Sequence, residues 1–292
     1  MKPMAFDYYR PEAVSEALAL LSEMGHEAAV LAGGMTLGPM LNLRMIRPRA
    51  VIDISRMQAL KTVSARSNIV VTGAGVVQGD ALRSDLIARE VPLLVMALPW
   101  VGHFQTRNRG TLGGSVAHAD PSAEIPLALV VCAGTVVLQS RRRQRRVPAR
   151  EFFLGALTTQ RRPDEMVTEL EWPRVAPDSG HAFMEIAQRH GDFAIAAAGC
   201  SLRLDGAERL EQLSLGVGGV ESRPVAIELK SFLGRPAGEI ATSLAEHAAV
   251  SVTPMEDHSA SADYRIALTK VLVERAVNAA LEMARQRRGR LQ

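Results

Sequence analysis

The residues best suited to chemistry in this chain lie in two glycine turns and the acids that come after the second. The longer block, Arg107 to Pro126, reads RNRGTLGGSVAHADPSAEIP, and the shorter, Ala32 to Leu37, reads AGGMTL. Gly113 and Gly114, like Gly33 and Gly34, lack a β-carbon, so N–H groups there can converge on an oxyanion without obstruction. Thr111 and Ser115 flank the second pair with hydroxyls. Asp120 and Glu124 come next, at a distance where they could accept hydrogen bonds from sugar or ribityl hydroxyls. One such cradle suits a phosphate; two suit the diphosphate of a dinucleotide, whose charge is costly to bury without a matching set of donors. No GxGxxG opens the first βα unit and no GxxxxGK precedes a Ser or Thr, which disfavours a nicotinamide-type Rossmann site and a P-loop.

Other reactive constellations are missing. No Ser/His/Asp order, HExxH or Cys–His pairing stands out, so neither hydrolysis nor a metal-centred reaction has residues to carry it. Cys132 and Cys200 sit far apart in apolar surroundings and read as core thiols; without a CxxC the chain cannot hold a cluster of the four-thiolate kind. A redox cofactor fits better, because it brings the electron chemistry and asks the protein only for grip and electrostatics. A structural alternative stands for the acids: Asp120-Pro121-Ser122-Ala123-Glu124 resembles a capping box, with Asp120 as the cap and Pro121 at the first helical position.

The elements that must position these groups can be read from pattern. Pro11, Val14, Ala17, Leu18, Leu21 and Gly25 spell an amphipathic helix. Ala28 to Leu31 is a strand running into the first glycine turn, Pro39 to Leu43 the helical turn after it, and Val51 to Ile54 a second buried strand, together a small βαβ-like unit. Leu60 to Val63 and Ile69 to Thr72 read as a hairpin joined by the polar turn at Ala65 to Asn68. Asp80 is a plausible cap for a helix beginning at Gly79, and Pro92 to Leu98 starts another. Ile125 to Val131 is helix-like and Thr135 to Leu138 a strand. A change of domain falls at Pro173 to Gly180, the densest Pro/Gly stretch. Beyond it, Ala182 to Gln188, Ala194 to Leu204 and Leu210 to Gly216 predict one antiparallel sheet. Helices are expected over Ala226 to Leu233 and Glu239 to Ala248, with Ser261 capping a long one whose apolar face is Ala267, Leu268, Val271, Leu272, Ala276 and Ala280.

The two glycine motifs, together with Arg189-His190-Gly191-Asp192-Phe193-Ala194 and Ser261-Ala262-Asp263-Tyr264-Arg265, resemble the signatures of the FAD-binding medium subunit of molybdenum hydroxylases, the carbon monoxide dehydrogenase and xanthine dehydrogenase family. The resemblance covers essentially the whole chain. It implies an α+β fold: a two-part FAD-binding region of the PCMH, vanillyl-alcohol-oxidase-like type, a small βαβ-like subdomain at 1–56 and a mixed α/β subdomain at 57–175. A C-terminal antiparallel sheet with helices occupies 176–292. It also implies that Ala32, Gly33, Gly34, Met35 and Thr36 hold the FAD diphosphate and ribityl, with Leu37 packing near. Thr111, Gly113, Gly114 and Ser115 would form a second backbone clamp, and Glu124, with Asp120 as competitor, would meet the sugar or ribityl part. His103, Gln105, Arg107 and Asn108 match the approach to the glycine turn, where structural roles compete with flavin contact, and Asp192 and Phe193 belong to the later motif. Family members often carry a lysine a few residues earlier, near the flavin ring; Phe183-Met184-Glu185 has none, which leaves Arg189 and Glu185 as candidates for the pyrimidine side. No catalytic side chain and no metal ligand is assigned to this chain. The implied activity is an oxidoreductase: electrons from substrate at a molybdenum–pterin centre in a large subunit cross two 2Fe–2S clusters in a small subunit and leave through the flavin here. A dimer of heterotrimers is the implied assembly. A free-standing FAD-dependent oxidase or reductase, and an adaptor that has lost its flavin, are the competing readings.

Composition agrees with a partner that is neither nucleic acid nor membrane. The chain has 292 residues, 47% apolar and 22% charged, ordinary for a folded protein with a sizeable core. The formal charge of +3 is too near balance to favour nucleic acid. Arg141 to Arg146 is arginine-rich with no interleaved aromatic, so a solvated turn is the simple reading and an acidic partner the alternative. No secretory h-region and no run of membrane-spanning length occurs, which predicts a cytoplasmic protein.

Overall fold

Three larger sheets, a two-stranded ribbon and three hydrophobic cores organise the computed structural model, which describes residues 2–238 and 240–291. The first sheet is parallel, in the order β1 (Asp7–Tyr9), β3 (Ala50–Asp53), β2 (Ala28–Leu31). Helix α1 (Val14–Met24) lays Ala17, Leu18 and Leu21 against Ile52, Ile54 and Met57 and stops at Gly25, whose N–H returns to the Leu21 carbonyl. It starts later than Pro11 predicts, because the Glu16 carboxylate takes the N–H groups of Glu12 and Ala13. Strand β2 enters the first glycine turn, α2 (Leu37–Asn42) leaves it, and β3 returns beside β2, the expected βαβ unit.

The next sheet is antiparallel, in the order β4 (Val63–Arg66), β5 (Ile69–Gly73), β10 (Met166–Pro173), β6 (Thr135–Gln139), β7 (Gln144–Pro148). Trp172 is fully buried in it and donates its indole N–H to the Thr72 hydroxyl at 3.0 Å. Between β5 and β6 run α3 (Gln78–Leu82), α4 (Asp85–Glu90), α5 (Pro92–Ala97), α6 (Phe104–Arg107), α7 (Leu112–His118) and α8 (Glu124–Val131). Helix α9 (Ala149–Phe152) and a small ribbon of β8 (Phe153–Gly155) and β9 (Thr158–Thr159) come after β7. Every residue of α8 is buried, so this helix is the centre of the molecule and not a surface element. The arginine-rich run spans a hairpin turn and the start of β7, and two of its five arginines are paired: Arg145 grips Glu165 with two N–H groups at 2.8 Å, and Arg146 meets Glu171 at 2.9 Å.

The third sheet is antiparallel, β11 (Gly180–Ile186), β12 (Ala196–Leu204), β13 (Leu210–Gly218), β14 (Val225–Ala226). One face carries α10 (Ile240–Val250) and α11 (Ala262–Leu291); through Phe183 and Ala197 the other face joins the core around α5 and α8. Several local expectations are corrected. Ala226 to Leu233 is not a helix: Val225 and Ala226 pair with β13, and the Glu228 carboxylate accepts the N–H groups of Leu229 and Lys230 before a single 3-10 turn. Asp80 lies inside α3, paired with Arg83 at 2.7 Å, and does not cap it. Ala267 and Val271 face solvent, while Val273, Val277, Leu281 and Ala284 complete the buried stripe of α11. Glu239, the expected start of α10, lies outside the described residues.

Strand β11 and α11 touch at backbone range. A β-carbon on Gly180 would overlap the Ala280 carbonyl and lie 2.7 Å from the Ala284 nitrogen. Gly180→Ala is expected to cost on the order of 3 kcal/mol, a fall of roughly 10 °C in melting temperature by calorimetry.

Candidate cofactor site

The two glycine turns meet. A β-carbon on Gly33 would overlap the Arg109 carbonyl and sit 2.9 Å from the Gly110 Cα, and the Arg109 guanidinium donates to the Gly33 carbonyl at 3.4 Å. Gly34 is next, at φ 73°, the left-handed region that glycine reaches without strain. Among the described residues, no N–H of Gly33, Gly34, Met35 or Thr36 donates to a protein acceptor. Their carbonyls are used instead: those of Gly34 and Thr36 accept from Gly38 and Met40 as α2 begins. The result is a half-exposed arc of free donors at the carboxyl end of β2, where an anion binds without displacing any internal bond.

The second turn differs from its expected role. The N–H groups of Leu112 and Gly113 go to the carbonyls of Val76 and Ala74 at 2.9 and 3.0 Å, and that of Ser115 to the Thr111 carbonyl at 3.1 Å. The Gly114 N–H goes to the Thr111 hydroxyl at 2.9 Å, so Thr111 is a side-chain cap of α7. These donors are already committed, and the block is therefore not a second N–H cradle. Gly113 lacks a side chain for a packing reason: a β-carbon there would come within 2.6 Å of the Ala74 Cα. What this turn presents is a small-residue wall, with Gly114 and the Ser115 hydroxyl half-exposed and Ala32 of the first turn across from them.

The acid loop closes the site from the side of the C-terminal sheet. Asp120 is not the cap of α8: its carboxylate accepts the Ser122 N–H at 2.9 Å, and Ala123 occupies the cap position, with Glu124 the first helical residue and Pro126 in the first turn. The Ser122 hydroxyl donates to the Ala194 carbonyl at 2.9 Å, and the Gly219 N–H donates to the Pro121 carbonyl at 2.8 Å. Arg265 fixes both contacts from behind. Buried and paired with Asp257 at 2.8 Å, its guanidinium donates to the carbonyls of Ile195 and Gly219. Glu124 is 7% exposed; burial, reinforced by nearby Asp120 and opposed by Arg107, raises its carboxyl to about 7.

The remaining expected residues spread along the rim. Leu37 opens α2, half-buried. Arg107 spans the loop before α6 by donating to the carbonyls of Val101 and Gly102 at 3.0 and 2.8 Å, a structural task. His103, Gln105 and Asn108 are exposed; His103 lies under Gly191, where a β-carbon would come within 2.7 Å of its ring. Trp100 stacks on His190 with ring centroids 5.9 Å apart, so the 189–193 segment covers the approach to the second turn. Asp192 and Phe193 project from it, Phe193 at 72% exposure, unusual for an aromatic without a ligand or neighbour. Ser122 and Arg109, which join the halves, were not singled out by sequence reasoning; a serine in a turn and one arginine among several give no local signal.

A model of the FAD binding domain in molybdopterin dehydrogenase matches residues 4–175, and one of the CO dehydrogenase flavoprotein C-terminal domain matches residues 181–280. The chain belongs to the family of FAD-binding medium subunits of molybdenum hydroxylases. It is 34% identical over 285 residues to the carbon monoxide dehydrogenase medium chain of Hydrogenophaga pseudoflava, covering 96% of this chain and 98% of that one. It is also 34% identical over 288 residues to the 6-hydroxypseudooxynicotine dehydrogenase complex subunit alpha of Paenarthrobacter nicotinovorans, with 98% and 97% covered. A solved structure of the Hydrogenophaga pseudoflava carbon monoxide dehydrogenase, one that lacks the Mo-pyranopterin moiety of its cofactor, superposes with a TM-score of 0.93 at 33% identity, covering 97% of this chain and 99% of its own. The free arc at Gly33 to Thr36 and the glycine contact at Gly33 fit the diphosphate of FAD, the cofactor of this flavoprotein. No helix among the described residues is long and apolar enough to cross a membrane.

The Thr111 cap sets the start of α7 and so the wall facing the arc. Thr111→Ala is expected to lower stability by about 1 kcal/mol in urea unfolding, with most of it restored by Thr111→Ser.

Proposed function

We propose that the flavoprotein grips FAD between the donor arc of the first turn and the small-residue wall of the second, and serves as the exit for electrons in a three-subunit oxidoreductase. The observation that carries this reading is the set of unused N–H groups from Gly33 to Thr36, pressed by Gly33 against Arg109 and Gly110. In this reading Ala32, Gly33, Gly34, Met35 and Thr36 take the diphosphate, Leu37 packs beside them, and Gly114 and Ser115 line the opposite wall, with Thr111 and Gly113 holding that wall in place. Glu124 accepts from ribityl or sugar hydroxyls, with Asp120 beside it, while His103, Asp192 and Phe193 border the ring end. When bound, the flavin accepts electrons and hands them to an outside acceptor; the chain supplies binding, orientation and exclusion of water.

The matched relatives are named as medium chains or complex subunits, which supports partners: a large molybdopterin-binding subunit and a small subunit with two 2Fe–2S clusters, assembled as a dimer of heterotrimers in the cytoplasm. Segments 1–56 and 57–175 form the two flavin subdomains in this proposal, and 176–292 the domain that backs the acid loop.

The test compares glycines. A β-carbon on Gly33 meets backbone, whereas one on Gly38 meets nothing within 4 Å. Purified with its partner subunits, the wild type is expected to be yellow; Gly33→Ala loses most of its flavin, Gly38→Ala keeps it, and Gly114→Val loses it by breaking the Thr111 cap and filling the wall. Equal flavin content in all four, read from absorbance of the released cofactor, would overturn the assignment. Yellow protein that elutes alone and turns over substrate would indicate a free-standing oxidase.

A further inference from the structure

A second carboxylate stands behind Glu124. Glu185 lies on β11, 6% exposed, and its Oε2 is buried without a hydrogen-bond partner. Along β11, Ala182, Met184 and Ile186 point into the core shared with α10 and α11, while Phe183 points to the core around α5 and α8. Alternation puts Glu185 on the Phe183 side. Register confirms the direction: Glu185 pairs with Ala197, Ala197 pairs with Gly218, and a β-carbon on Gly218 would lie 3.1 Å from the Leu127 side chain. Glu124 precedes Leu127 by one helical turn, so it lies on the same face of α8 and looks across the seam at this row of strands. The charged groups acting on this region are Asp120 on the acid loop, which repels Glu124, and Arg107 on α6, which attracts it; Glu124 itself is what acts on Glu185.

We propose that Glu185 is a positioning residue for the cofactor acid: it stays a neutral carboxylic acid across the seam, leaving Glu124 as the one of the two buried carboxyls that ionises. Two buried carboxylates at this seam would repel each other with little water to screen them, and the unpartnered oxygen of Glu185 has no donor to stabilise a charge. Burial, then the neighbouring Glu124, raises the Glu185 carboxyl to about 9. Above that point a second charge enters the seam and pushes Glu124 and its loop away from the site. The inference rests on the reading of Glu124 as a cofactor contact.

The test uses the holoenzyme. Difference infrared spectroscopy of the wild type at about pH 8, above the ionisation of Glu124 and below that of Glu185, is expected to show the carbonyl stretch of a buried protonated carboxylic acid, absent in Glu185→Gln. Flavin retention in the wild type should fall about tenfold as pH rises through about 9, whereas Glu185→Gln, a neutral isostere, holds its flavin across the same range. Glu185→Ala retains less flavin at every pH. Because the acid is harder to ionise folded than unfolded, its cost to stability grows as pH climbs from the ordinary carboxylate range toward about 9. Glu185→Gln should therefore melt no lower than the wild type at neutral pH. The proposal is overturned if the infrared band is missing from the wild type, or if Glu185→Gln loses flavin at alkaline pH as the wild type does. Should no variant and no wild type hold flavin at all, the cofactor reading fails while the infrared result still decides the state of Glu185.

Discussion

The structure depends on the contact between Gly33 and the backbone of Arg109 and Gly110. Two segments 76 residues apart in sequence approach to a distance that no side chain other than hydrogen permits. That approach sets how closely the two turns stand. It also explains why the first turn keeps its N–H groups free: the chain turns too sharply there for them to find internal acceptors, and half-exposure lets water satisfy them in the absence of an anion. An anion that replaces that water meets donors already oriented, so little conformational entropy opposes binding.

The second turn shows how similar motifs divide their labour. Gly33-Gly34 and Gly113-Gly114 look alike in sequence, yet one is a donor arc and the other a packing joint. The difference lies in where each pair sits relative to its helix. After Gly34 the chain spends two residues outside any helix, which strands its N–H groups; Gly113 and Gly114 sit inside α7, whose first N–H groups are taken by Ala74, Val76 and Thr111. A small-residue helix start is useful in another way, since it leaves backbone open where Ala32 of the first turn stands opposite Gly114.

Much of the fold was legible in the sequence because its signals are local: the βαβ unit at Ala28 to Asp53 and the three long strands after Gly180 declared themselves by period and punctuation, while the hairpin ending at Gly73 was read with its first strand at Leu60 to Val63, where the structure has Val63–Arg66 because Leu60 closes a 3-10 turn. Three of the failures share a cause, which is that a side chain took backbone donors out of register. Glu16 delays α1, Glu228 stops a helix before it forms, and Asp120 closes its own turn two residues short of α8. The apolar stripe of α11 was misplaced for a tertiary reason, since only the close approach at Gly180 decides which side of that helix faces the sheet. Within the proposed site, the meeting of the two glycine turns was legible by motif. The anchoring of the acid loop through Ser122 and Arg265 was not, because each acts on a carbonyl far away in sequence.

That anchoring gives the C-terminal domain a reason to exist beyond covering apolar surface. Arg265 carries a formal charge into a buried knot, where its two terminal nitrogens are met and its Nε is left without a partner. Asp257 supplies the counter-charge, and the carbonyls of Ile195 and Gly219 supply acceptors at the ends of β12 and β13. Those two ends are also where Ser122 and Pro121 attach to the sheet. A single planar cation therefore fixes the strand ends, the strand ends fix the acid loop, and the acid loop fixes where Glu124 enters the central helix. A lysine could not substitute for it, because one ammonium cannot present a flat fork to a carboxylate and two carbonyls at once. Rigidity at Glu124 is in this sense made in α11, on the far side of the sheet.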